Sequence, residues 1–272
     1  MTLEGPGTTG DRTPLRLATW NVNSIGARLP RLLDWLETRS PDVACLQELK
    51  CTEDAFPHLP VQALGYSTAI HADGRWNGVA ILSRVGLTEV RRGLLDEPGF
   101  PGVESRAVAA TCGDLRVVSV YVPNGRTPHD PHYAYKLAWL DALTSTVAAD
   151  LTTAPRLVVT GDFNVAPTDA DVWDPAVFAG STHVTPAERD RLAALRDLGL
   201  IDVVPRPGKG PNPFTYWDYR AGAFHKDMGM RIDHVYASIP VAQQVTDAWV
   251  DREARKGKGP SDHAPVIVDL GG

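Results

Sequence analysis

Short β-rich runs recur along this chain at residues 15–22, 43–47, 78–83, 106–111, 115–122, 156–160, 231–237 and 265–270. So many runs, so closely spaced, predict a core built from sheets rather than from helices. Amphipathic helical patterns fall between them. Residues 28–39 set Leu29, Leu32, Leu33 and Leu36 on one face, and residues 133–149 do the same with Leu137, Leu140, Leu143 and Val147. A third helix opens at Thr185-Pro186-Ala187-Glu188, where Thr185 caps, Pro186 suits the first helical position and Glu188 reaches back to close a capping box. It is expected to run to about Leu198. The mixture predicts two sheets packed at the centre with helices outside, an α/β or α+β sandwich.

Hydrophobic residues make up 43% of the 272 and charged residues 22%, the balance of a globular protein with a sizeable core. No apolar run approaches the ~20 residues of a membrane-spanning helix. Residues 1–14 are rich in Gly, Thr and Pro, carry Glu4 and Asp11, and read as a disordered polar leader ahead of one domain at 15–270. Residues 205–213 read as a surface loop within that domain. Of three cysteines, Cys45 and Cys112 lie in strand-like runs and Cys51 forms no C-x-x-C pair, which argues against a disulfide framework and a zinc site and fits a reducing cytoplasm. The net charge of −6, from 27 basic and 33 acidic residues, argues mildly against a polyanionic partner unless several acids hold a metal ion.

Polar residues cluster where the apolar runs end. Asn21 and Asn23 follow the first run, Gln47 and Glu48 the second, Asn124 follows Tyr121-Val122-Pro123, and Asp162 and Asn164 follow residues 157–161. Asp233 and His234 interrupt a run after Arg231-Ile232, and Ser261-Asp262-His263 precedes the last. Singly, each is an ordinary turn former or a hydrogen-bonded histidine. Together they are more, because strand ends in a sheet sandwich meet at one rim and can assemble one polar cleft.

That inventory suits phosphodiester hydrolysis. The anionic phosphorus centre repels nucleophiles, so the reaction calls for a cation on the phosphate, a base for water and donors for the extra charge. Hard oxygen ligands such as Glu48 and Asp262 suit Mg²⁺ or Mn²⁺. Asp233 and His263 read as an orienting carboxylate and an imidazole able to donate to phosphate as the imidazolium.

The segments Thr19-Trp20-Asn21-Val22-Asn23, Leu46-Gln47-Glu48-Leu49-Lys50, Tyr121-Val122-Pro123-Asn124-Gly125, Gly161-Asp162-Phe163-Asn164-Val165, Arg231-Ile232-Asp233-His234 and Ser261-Asp262-His263-Ala264-Pro265 resemble, in order, the motifs of the exonuclease III family of AP endonucleases. The match runs from Leu15 to Leu270, and six motifs in sequence are far more specific than any one, since Gly-Asp-x-Asn and Ser-Asp-His-x-Pro recur throughout the wider endonuclease/exonuclease/phosphatase superfamily. The resemblance implies an α/β fold, a four-layer αββα sandwich with two packed mixed β-sheets flanked by helices. It implies Mg²⁺ (or Mn²⁺) held by Glu48 with Asn23 and Asp262, and with Asp162 and Asn164 close to the ion. It further implies that Asn21, Asn164 and His263 engage the scissile phosphate, with Asp233 orienting His263. Asp162 would activate the attacking water or protonate the leaving oxygen, and Tyr121 would donate its hydroxyl with support from Asn124.

The resemblance also implies a substrate, double-stranded DNA at abasic sites and 3′ ends, and an enzyme acting as a monomer in the cytoplasm. The expected activities are 3′-to-5′ exonuclease, incision 5′ to an abasic site and 3′-phosphatase. The run Phe214-Thr215-Tyr216-Trp217-Asp218-Tyr219-Arg220 resembles the aromatic segment beside a pocket for a flipped-out abasic sugar, with Met230 and Ile232 completing the wall. The same run reads equally as a strand with aromatic filling. Lys136, Arg106, Arg126 and Arg220 are candidate phosphate contacts. Arg252, Arg255, Lys256 and Lys258 form a basic stretch that either lies along DNA or is a solvated loop. The chain departs from the family pattern at Ala179-Gly180-Ser181-Thr182-His183, where an Asn-rich segment is usual, and at Met228-Gly229-Met230, where relatives carry bulkier wedges. Two other readings stay open, a phosphatase or lipid phosphodiesterase of the same superfamily and a catalytically silent DNA-binding protein.

Overall fold

A computed structural model describes residues 13–272. The leader expected at 1–14 therefore lies outside the described residues except for Thr13 and Pro14. The first half runs β1 (Leu15–Asn21), α1 (Ile25–Arg39), β2 (Val43–Gln47), α2 (His58–Ala63), β3 (Ser67–His71), β4 (Val79–Ser83), β5 (Thr88–Arg92), β6 (Ala107–Cys112) and β7 (Leu115–Tyr121). The second runs α3 (Pro131–Thr153), β8 (Leu157–Asp162), α4 (Pro175–Phe178), α5 (Pro186–Asp197), β9 (Leu200–Asp202), α6 (Ala223–Lys226), β10 (Asp233–Ser238), α7 (Ile239–Ala242), β11 (Val245–Val250) and β12 (Val266–Leu270).

Two mixed sheets of six strands result, ordered β11-β12-β1-β2-β4-β3 and β5-β6-β7-β8-β10-β9. Strand alternation explains how they stack. On β2, Cys45 faces the other sheet while Ala44 faces α1 and α2; on β7 and β8, Val117 and Val158 join the intersheet core while Val118 and Val159 pack under α3 and α5. Central strands are thus buried on both faces, giving the αββα order of layers.

Helix ends follow local chemistry. Ser24 accepts from the Ala27 N–H, so α1 begins at Ile25, ahead of its leucine pattern. The Thr185 and Glu188 capping box is present, with α5 ending at Asp197. On α3 the buried stripe contains Lys136, Trp139, Leu140, Leu143 and Val147, so Leu137 sits off the face the apolar spacing suggested. Four strands escape the sequence pattern: β3, β5, β9 and β11. All four are sheet margins and β5 is mostly exposed, so little apolar alternation marks them. Among the described residues no helix is long and apolar enough to cross a membrane, and all three cysteines are free.

Candidate active site

Both sheets deliver strand ends to one rim. In the second sheet, Tyr121 on β7 sits beside Asp162 on β8, and Asp162 sits beside Asp233 on β10. In the first, Asn21 on β1 pairs with Gln47 on β2, which places Glu48 one residue past the sheet. Gly161 shows why this row needs its glycine: a Cβ there would stand 1.9 Å from the Val120 carbonyl oxygen, so only glycine lets β8 pass β7 ahead of Asp162. On the far side of the rim, Ser261 Oγ donates to the Asn21 carbonyl at 2.7 Å and Trp20 Nε1 to the His263 carbonyl at 3.2 Å, which ties the segment before β12 to β1.

Asn21 joins the two sheets. Its Nδ2 donates to Glu48 Oε1 at 2.8 Å and to Asp162 Oδ2 at 2.9 Å, while its Oδ1 accepts from the Asn23 N–H. His263 makes a second bridge, with Nδ1 2.8 Å from Asp233 Oδ2 and Nε2 3.7 Å from Asp162 Oδ2. Asn164 presents its N–H to Asp162 Oδ1 and its Nδ2 to the Val122 carbonyl, and its Oδ1 accepts from Asn124. Glu48, Asn23, Ser24, Lys50 and Asn164 all hold left-handed backbone, an arrangement that costs free energy and is kept where surrounding bonds over-determine it.

Ligand atoms of Glu48, Asp162 and His263 lie within 4.8 Å of one another, an acidic group able to hold a metal ion. The donor set fits a hard cation, because buried carboxylates crowded together need a positive charge between them. Burial by itself would raise Glu48, but Lys50, 2.7 Å from Oε2, and the Asn21 amide outweigh it and hold the carboxyl below its usual range. Asp162 is pushed up to about 7, by burial first. His263 is raised to about 10: burial opposes the charge, and Asp233 and Asp162 more than compensate. The two carboxylates thus favour the imidazolium form of the ring, in which both nitrogens donate. Tyr121 lies well above the usual phenol range through burial and the neighbouring Glu48 charge, so it keeps its proton.

Asp262 stands one step outward. Its Oδ1 accepts from Asn23 Nδ2 at 2.9 Å, and Lys50 Nζ links Asn23 Oδ1 to Glu48, so Glu48, Asn23 and Asp262 share one side of the cleft. Lys50 and Thr215 are the residues motif reading passed over. Thr215 Oγ1 accepts from the Ile232 and Asp233 N–H groups at 3.2 Å, which fixes Asp233 beneath His263.

A cavity of about 330 Å³ opens alongside, lined by Trp173, Phe178, Tyr216, Arg220, Met228 and Met230 among others. The Tyr216 ring lies tilted by 57° against that of His263, with 5.0 Å between ring centroids. Two expected wall residues are elsewhere. Trp217 is 1% exposed and packs with Phe214 and Phe224, because neighbouring residues of extended chain face opposite ways. Ile232 is buried beneath Met230 against Ala166 and Val172. Trp173, Phe178 and Met228 supply the wall instead, from segments with no strand-end signature.

The basic residues also sort themselves. Lys136 cannot meet phosphate: it is fully buried, with Nζ 2.6 Å from Glu188 Oε1 and 2.6 Å from the Asn164 carbonyl. Arg106 is buried against Glu104 and the Tyr121 ring. Arg126 and Arg220 remain exposed, each beside an aspartate, Asp130 and Asp218. Arg252 and Arg255 are buried over the rings of Phe224 and Tyr219, which leaves Lys256 and Lys258 as the solvated part of that stretch. At the departure before α5, His183 adopts a left-handed backbone and its Nε2 lies 3.3 Å from Asn124 Nδ2.

Comparison with known proteins agrees with this geometry. Residues 18–263 match the endonuclease/exonuclease/phosphatase family. Exodeoxyribonuclease III of Haemophilus influenzae is 28% identical, over 94% of this chain and all of its own length. The 3′ phosphatase NExo from Neisseria, solved bound to a product DNA hairpin, superimposes with a TM-score of 0.90 at 38% identity, covering 94% of this chain and 99% of its own. An AP endonuclease from Archaeoglobus fulgidus gives a TM-score of 0.86 at 32% identity, over 93% and 98% of the two chains. With the six motifs, the rim they assemble and relatives matched from end to end, the chain belongs to the endonuclease/exonuclease/phosphatase family, in its exonuclease III branch of AP endonucleases.

Proposed function

We propose that this chain is a Mg²⁺- or Mn²⁺-dependent DNA-repair hydrolase that cleaves phosphodiesters and phosphomonoesters at 3′ ends and 5′ to abasic sites in duplex DNA. It acts as a monomer in the cytoplasm. The observation that carries this reading is the double bridge at the rim, Asn21 between Glu48 and Asp162 and His263 between Asp233 and Asp162. It places an acid cluster, a proton acceptor near neutrality and a fixed cationic donor in one buried cleft.

Glu48 and Asp162, with the amide oxygens of Asn23 and Asn164 and with Asp262 at the outer edge, would hold the ion. When bound, the cation neutralises phosphate charge and lowers the pKa of water. Asp162, raised toward 7, is poised to take a proton from the attacking water. His263, held protonated by Asp233, donates from Nε2 to a phosphate oxygen, and the Tyr121 hydroxyl donates to another. Asn124 and Lys136 position Asn164 through its side chain and its carbonyl. The Tyr216 and Met230 cavity takes the sugar displaced from the helix, where an intact nucleotide is resisted by size.

One labelled duplex carrying an abasic site, a recessed 3′ end and a 3′-phosphate ranks the activities by product length with Mg²⁺ and with Mn²⁺. Cleavage is expected to stop with EDTA, and Glu48→Gln and Asp162→Asn should each lower kcat by about 10²–10⁴. Full turnover by both variants would remove the site assignment, and turnover of a phosphoinositide with none of DNA would replace the substrate.

A further inference from the structure

Trp76 is the most exposed of seven tryptophans, at 75%, and it lies two residues before Gly78, whose carbonyl bonds the residue after Glu48. It occupies the loop between β3 and β4, whose base is fixed. The Lys50 N–H donates to the Asn77 carbonyl at 2.9 Å, the Leu49 N–H to the Gly78 carbonyl at 3.1 Å, and the Gly78 N–H to the Ser105 carbonyl at 2.9 Å. A Cβ on Gly78 would stand 3.0 Å from Leu49 Cβ, so the loop lies close against the residue that follows Glu48. Asn77 is 5% exposed, and its side-chain carbonyl oxygen has no partner among the described residues. The tip thus offers an exposed ring and the exposed Arg75, whose guanidinium lies 6.0 Å from the Trp76 ring centroid.

A large indole held in water gains nothing for the fold, and a base fixed at three backbone positions keeps it from folding back into the core. Aromatic side chains presented this way stack on nucleobases, irrespective of sequence, because every base has a π-face. Inside a continuous duplex those faces are covered by neighbouring bases. They become available only where a strand's stack is interrupted, at a recessed end or beside a missing base.

We infer that Trp76 is a discontinuity sensor: its indole stacks on the base face laid open at a 3′ end or abasic gap, with Arg75 on the adjoining phosphate, and so presents interrupted DNA to the cleft beside it. This rests on the DNA-repair reading above. It adds a preference for broken over intact duplex that the acid cluster, which meets only phosphate, does not supply.

The test measures binding in an Asp162→Asn background with Mg²⁺, so that the DNA survives. The two probes are a duplex with a recessed 3′ end and the same duplex closed by hairpins at both ends. Trp76→Ala is expected to raise the Kd for the recessed duplex about tenfold, within the range of one base–aromatic stack, and for the closed duplex about twofold or less. Trp76→Phe keeps a ring and should restore most of the preference. Binding of recessed DNA should quench tryptophan emission, and that quench should disappear in Trp76→Phe, whose remaining tryptophans are buried or partly buried. An unchanged ratio of the two Kd values in Trp76→Ala, or an undiminished quench in Trp76→Phe, overturns the sensor alone. Failure of the Asp162→Asn protein itself to bind either DNA overturns the DNA reading and the sensor with it.

Discussion

At the residue scale the site is a matter of where one proton sits. His263 is enclosed by Asp233 and Asp162 and carries its charge far above the range of a free imidazole. Because the folded pKa, about 10, exceeds the ordinary imidazole value of 6.5, the folded state binds the extra proton more tightly. That stability is fully present below pH 6.5 and lost as pH rises through about 10. In EDTA, the urea midpoint of the wild type should therefore fall across this window, and His263→Gln should start lower and show a flatter profile. Parallel profiles for the two proteins would mean that His263 is not the buried cation.

Most of these side chains were legible because each ends a run of apolar sequence. Asn21, Glu48, Asp162 and Asp233 sit where burial stops and chemistry starts. Trp217 and Ile232 turn away from the cavity for the opposite reason: composition marks an aromatic or apolar segment but does not tell which face of extended chain each residue takes. Lys136 did leave a signal, since it falls three and four residues before Trp139 and Leu140 on a stripe that is otherwise core.

At the scale of elements, α3 and α5 are joined through an ion pair with no exposed surface, Lys136 and Glu188. Burial lowers the lysine, and Glu188 partly restores it; burial raises the glutamate, and Lys136, the His183 N–H and Thr182 bring it below its usual range. The pair holds the Asn164 and Asn124 carbonyls on one side and the α5 cap on the other. Glu188→Ala leaves an ammonium buried without its partner and should cost about 3–5 kcal/mol in urea unfolding. Lys136→Met combined with Glu188→Leu should cost less than the sum of the single changes. A loss under ~1 kcal/mol for Glu188→Ala would show that water reaches the pair. The central strands and the long helices were readable from apolar period. The marginal strands were not, because β5 and β11 are tied to the sheet mainly by backbone bonds that any side chain permits.

At the scale of the whole molecule, much of the positive charge is already committed. Arg16, Arg39, Arg91 and Arg231 pair with Asp269, Asp251, Asp150, and Asp171 with Asp202, respectively. A chain of net charge −6 with its arginines so engaged has few cations left for a DNA backbone. Binding of duplex DNA should therefore show a shallow dependence on salt, with a slope of log K against log[salt] of about −2 to −4 for roughly two to four phosphates neutralised. A slope near −8 in a Mg²⁺-free titration of Asp162→Asn would reveal a basic track that the exposed Arg126 and Arg220 do not account for.

The amide of Asn21 has a consequence for the life of the polypeptide before it is finished. A single nitrogen spans the seam between two sheets, so neither sheet alone carries a working hydrolase. A copy with one layer formed and its fellow still loose lacks the assembled rim, and the capacity to break DNA arrives only when both layers are docked.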